Sequence, residues 1–207
     1  MFDVFRKLCR DLGRAMQWRL RRPPIQTHQD LVDFVSTQAV YVAQTSLYGY
    51  MKTRMGSQFR ELFQDDGFAH ALADARDKVA MACLSDLCIF AASLCKNRPL
   101  SQEVIDLFES TTVKALGEVP AYDFADRLGS IDWDAARQGE GAFTESPAAL
   151  VAAVPVAPEY REQDREILMN SIRFRWAEVR RDLRKRLVPD ASILGASLDS
   201  GGGASSE

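Results

Sequence analysis

The chain is poor in the residues that enzymes most often put to work. It holds two histidines, His28 and His70, and neither stands in a recognisable catalytic spacing with a carboxylate and a nucleophile. Its four cysteines, Cys9, Cys83, Cys88 and Cys95, lack the paired C-x2-4-C spacing of a zinc site. They lie within apolar helical patterns, which suits core thiols in a reducing compartment rather than a secreted disulfide framework. No metal and no cofactor is expected. The glycine-rich dinucleotide and P-loop patterns are absent, as are G-x-S-x-G and H-E-x-x-H, which sets nucleotide-dependent and familiar hydrolase chemistry aside. An enzyme assembled from dispersed residues is not excluded by that absence.

Long apolar runs are missing too. No stretch of 18 uncharged apolar residues exists. The nearest, residues 79–95, is short, carries Asp86 at its centre and reads as a buried core helix. No period-two alternation or hairpin turn suggests a sheet. The N-terminus has no uninterrupted apolar region of a secretory signal, and it carries Asp3 and Asp11.

What is present begins with residues 1–22, closed by Pro23 and Pro24. Wound as a helix, this segment gathers Phe2, Val4, Phe5, Leu8, Cys9, Leu12, Ala15, Met16 and Leu20 on one half of its circumference. Arg6, Lys7, Arg10, Arg14, Gln17 and Arg21 fall on the other half, and Arg19 is out of place. The segment has a net charge of +5 on a chain whose net charge is −3. That pattern suits a helix lying in an anionic membrane surface, apolar face down. A docking helix for a partner protein is the alternative, and the proline break detaches the segment for either role. A mitochondrial presequence is also Arg-rich and amphipathic, but the two aspartates and the lack of serine speak against one. The expected location is cytoplasmic, peripheral on the inner face of a membrane, with the mitochondrial matrix as the alternative.

The remainder predicts one all-α domain over 25–188, an irregular helical bundle, followed by a disordered tail over 189–207. Thr27 can cap a helix running from about His28 to Asp65, bent near Gly49 or broken near Gly56. Further helices are expected over about 68–96, 102–116, 147–153 and 159–187. Between the second and third of these, residues 118–145 hold seven acids against two bases and should follow an irregular path with helical turns near 122–128 and 133–138.

Three groups of residues are candidates for function. The first is the contact face of the N-terminal helix, Phe2, Val4, Phe5, Arg6, Lys7, Leu8, Arg10, Leu12, Arg14, Met16 and Leu20. The second is the last helix, where Arg173, Arg175, Arg180, Arg181, Arg184, Lys185 and Arg186 leave residues 173–186 at +5. Such a face could meet lipid head groups, an acidic partner or phosphates; alternatively it is an outer face whose arginines pair with the acidic stretch 118–145. The third is Tyr41, Tyr48, Asp86 and Cys88, which could line a pocket for a small hydrophobic ligand. A carboxylate such as Asp86 in an apolar run either pairs with a cation or has a raised pKa. The acidic body argues against a dedicated nucleic-acid binder acting through 173–186. The reading favoured is a non-enzymatic interaction protein at a membrane surface: an adaptor, assembly factor or accessory subunit holding a protein partner. An enzyme or carrier binding a hydrophobic molecule between helices is the second reading.

Overall fold

A computed structural model describes residues 23–62, 64–95, 100–118, 122–188 and 192–195. The N-terminal amphipathic segment, with every contact residue named on it, lies outside the described residues.

The all-α expectation holds. Every described element is helical except one parallel bridge between Ile25 and Leu187. Helix α1 runs over His28–Met55. A reciprocal capping box starts it: Asp30 N donates to Thr27 Oγ1 at 3.1 Å, and Thr27 N donates to Asp30 Oδ2 at 3.1 Å. Gly56, at φ 56°, stops it, and a 3-10 turn over Gly56–Gln58 leads into α2, Phe59–Leu62. The single long helix expected to Asp65 is thus broken at the predicted glycine.

Helix α3 spans Asp66–Ser93 and is capped by Asp65, whose side chain accepts from Phe68 N at 3.0 Å. From Val79 to Ser93 every residue is buried. This is the centre of the protein, and α1 packs along it. Helix α4 covers Ser101–Leu116 and ends at Gly117 in the left-handed region. The acidic segment supplies two short helices, α5 over Phe124–Gly129 and α6 over Trp133–Gln138. Helix α7 is Glu145–Ala153, α8 is Pro158–Gln163, and α9 is Arg165–Arg186. Helices α1, α4, α6 and α7 enclose α3, and α9 lies across α1 and α7 on its apolar stripe of Leu168, Ile172, Trp176, Val179 and Leu183. No described helix is long and apolar enough to cross a membrane.

Three departures from the sequence expectation have physical causes. Helix α7 begins two residues before Pro147 because its first N–H groups find an acceptor on another helix: Glu145 N and Ser146 N point at the Asp86 carboxylate, at 3.4 and 2.9 Å. The last helix is split at Asp164, whose carboxylate accepts from Tyr50 Oη at 2.8 Å and pairs with Arg54 at 3.4 Å. The segment expected as tail opens with a docked helical turn, α10, Ser192–Gly195. Ile193 and Leu194 are buried there against α1 and α4, and Ile193 O lies 3.0 Å from His28 Nδ1, so apolar burial and a polar contact hold the turn together. Residues 196–207 lie outside the described residues.

Candidate functional site

The basic half of α9 is assembled by helical periodicity. With Trp176, Val179 and Leu183 turned into the core, Arg173, Arg181, Arg184 and Lys185 are exposed, and Arg175 and Arg180 are half-buried. A shallow cleft of about 390 Å³ is lined by Arg180, Arg181, Arg184, Lys185, Gln138 and Ala177. Two of these cations are held in place by main-chain acceptors. Arg180 Nη1 donates to Gly139 O at 2.7 Å and Arg184 Nη2 to Arg137 O at 2.8 Å, both at the carbonyl end of α6. Their guanidinium groups also lie over the Phe143 and Phe90 rings, at 5.4 and 5.2 Å. Burial, reinforced by the neighbouring charge of Arg184, lowers the pKa of Arg180.

The acidic stretch therefore receives two of these arginines through carbonyls, not through carboxylates. Among the described residues no carboxylate lies within ion-pair distance of Arg173, Arg175, Arg180, Arg181, Arg184 or Lys185. The cluster keeps its charge.

Arg186 is a correction to the sequence reading. It was expected on the same face, yet it is 6 % exposed. Its guanidinium pairs with Asp182 at 3.2 Å, lies over the Phe34 ring at 5.1 Å, and donates through Nε to Pro23 O at 2.8 Å. The reason is backbone geometry at the helix end. Ile25 N donates to Arg186 O at 2.8 Å and Val188 N to Ile25 O at 3.0 Å, so residues 23–25 are laced to the end of α9 and cover Arg186. Pro23, the first described residue, is thereby fixed to Arg186, which follows Arg184 and Lys185 in the chain.

The four residues considered for a ligand pocket have different surroundings. Asp86 is 0 % exposed and belongs to a buried polar network. It accepts from Arg127 Nη2 at 2.5 Å and from the Ser146 hydroxyl, which in turn accepts from Trp176 Nε1 at 2.8 Å. Arg127 also donates to Ser85 Oγ, to Ala142 O at 3.0 Å and to Glu145 at 3.1 Å; Tyr122 Oη donates to Glu145. Burial pushes the Asp86 carboxyl up to about 6, against the opposing pull of Arg127 and Ser146. Cys88 faces Thr111 Oγ1 at 3.5 Å, and burial raises its thiol to about 12, so it carries no thiolate near neutrality. Tyr41 and Tyr48 are half-buried against the core. Neither the basic cleft nor the groove described next is lined by any of the four.

That groove lies between α1 and the first half of α9 and has a volume of about 520 Å³. Ser46, Gly49, Tyr50 and Arg54 form one wall, and Asp164, Ile167, Phe174 and Arg175 the other. It was not foreseen. Its sequence signal was the exposed apolar pair Ile167 and Phe174, seven residues apart and beside the core stripe of α9. Arg127 was missed as well, although Arg127 and Arg137 are the two bases of the acidic stretch; Arg127 turns inward, and Arg137, itself exposed, reaches carbonyls at the end of α3. Arg137 donates to the carbonyls of Ser93 and Cys95 at 2.7 and 2.6 Å.

No family model, curated protein or solved structure matches the chain.

Proposed function

We propose that this chain is a non-enzymatic interaction protein, held on an anionic membrane surface by residues 2–20 and the basic half of α9, where it serves a protein partner as adaptor, assembly factor or accessory subunit. The observation that carries this reading is the position of the N-terminal junction. Pro23, which follows a segment of net charge +5, is fixed to Arg186 at the end of α9, the helix that carries four further cations with no carboxylate partner among the described residues. A single amphipathic helix binds lipid reversibly, and a second basic element at the same pole converts that into a two-point contact. Each Lys or Arg near an anionic surface adds about 1 kcal/mol, within a Debye length. The carbonyl contacts of Arg180 and Arg184 limit the entropy lost when that face meets head groups. By the same reading the protein sits on the cytoplasmic face.

The test is flotation of the full chain with phosphatidylcholine vesicles and with vesicles that also contain phosphatidylserine. Flotation is expected only with the anionic vesicles and falls as salt rises. F5D/L8D should abolish it, and R181E/K185E should weaken it at least tenfold, since both side chains are exposed. Absence of flotation, or salt-independent flotation with neutral vesicles, overturns the proposal.

A further inference from the structure

We propose that the groove between α1 and α9 binds a single-chain amphiphile with a carboxylate head, of the fatty-acid class. The two helices run antiparallel: Tyr50 meets Asp164 at one end, and Ile25 meets Leu187 at the other. The groove therefore has two different ends. At one, Arg54 pairs with Asp164 and stacks over the Tyr160 ring at 4.4 Å, while Tyr50 donates to the same carboxylate. That end is neutralised. At the other, Arg175 has no carboxylate within ion-pair distance among the described residues.

Ser46 points to a ligand at this open end. Helical hydroxyls ordinarily donate to a carbonyl one turn back, as Ser36, Thr45 and Thr53 do. The Ser46 hydroxyl is buried, on a residue 2 % exposed that lines the groove, and it has no hydrogen-bond partner among the described residues. An unmade buried hydrogen bond is costly, and a ligand oxygen would complete it. A carboxylate can accept from Ser46 with one oxygen while Arg175 grips the head through its planar donor fork. One cation suits a monoanion better than a phosphate dianion.

Besides Thr45, Thr53 and Ser171, the rest of the groove offers apolar surface. A Cβ built on Gly49 meets nothing within 4 Å, so the missing side chain leaves open space. Ile167 and Phe174, 62 and 66 % exposed, flank that space and would be covered by an alkyl chain. The volume of about 520 Å³ falls within the range of small-ligand sites, roughly 300–1,000 Å³.

The experiment is calorimetric titration of the full chain with laurate below its micelle concentration, with acetate as the control that has no alkyl chain. One laurate per chain is expected, and no acetate. S46A and R175Q should each weaken binding severalfold. G49L should weaken it at least tenfold by filling the groove, and its helix content and vesicle flotation should be unchanged, since leucine is the better helix former and the groove lies apart from the basic cleft. F174E, at an exposed position, tests the alkyl path in a second way and should also weaken binding. Lack of laurate binding by the parent chain, or binding unchanged in both G49L and F174E, overturns the proposal. Flotation reads the membrane contact separately, so the two proposals fail independently.

Discussion

Replacing Arg127 with methionine keeps most of the side-chain volume and removes the guanidinium that faces Asp86. Asp86 is then a fully buried carboxylate held by Ser146 and the first N–H groups of α7. Stripping one partner from a buried pair costs about 3–5 kcal/mol, because the remaining charge is desolvated without compensation. The sign of the pH dependence follows from the carboxyl itself. Burial holds its folded pKa at about 6, above the ordinary value of 3.8, so the native state binds the proton more tightly than the unfolded chain. This group's contribution is therefore most favourable below pH 4 and is lost as pH rises through 6; about two pH units correspond to something on the order of 3 kcal/mol. Arg127 pulls that pKa down, so its loss moves the carboxyl further up and makes the variant more sensitive. Urea unfolding of the parent chain and R127M at pH 5 and pH 7.5 measures the effect. The cost of R127M should be about 3–5 kcal/mol at pH 7.5 and smaller by at least about 1 kcal/mol at pH 5, where the carboxyl goes neutral. The double variant D86N/R127M should recover part of the loss at pH 7.5. A cost below about 1 kcal/mol, or one equal at both pH values, would refute the claim that Arg127 compensates a buried charge.

Two further outcomes test the architecture around the basic face. Gly139 has φ 90°, and a Cβ there would meet Arg180 Nη1 at 2.5 Å, so G139A should cost about 1–3 kcal/mol in urea unfolding; an unchanged midpoint would mean that Arg180 does not rest on this turn. Truncating Ile193 and Leu194 together to alanine should destabilise by at least about 3 kcal/mol if α10 is docked as described, and a loss below about 1 kcal/mol would show that the turn adds little.

Local chemistry made much of the fold legible. The cap at Thr27, the glycine stop at Gly56, the apolar run around Asp86 and the stripe from Leu168 to Leu183 are short-range patterns, and each led to the element observed. The errors fall where a distant residue finished a local feature. The N-terminus of α7 is extended by Asp86, which is 60 residues from Ser146, and α9 is interrupted where Asp164 is drawn to Tyr50 and Arg54 on α1.

Composition and periodicity by themselves determined the all-α class, the burial of α3, and the fact that positive charge gathers at both ends of an acidic chain. These are properties of neighbours along the chain, set by a 3.6-residue repeat and by solvation. Tertiary structure alone decided which cations stay free for a partner: Arg127 and Arg186 face inward to carboxylates and carbonyls and the exposed Arg137 bonds to two carbonyls, while Arg181 and Lys185 remain exposed without a carboxylate among the described residues. It also decided that Pro23 is tied to the buried Arg186 at the end of α9, and that α1 and α9 leave a groove between them. Charge is written in the sequence, but its neutralisation depends on which buried acceptors the packed helices bring within hydrogen-bond reach.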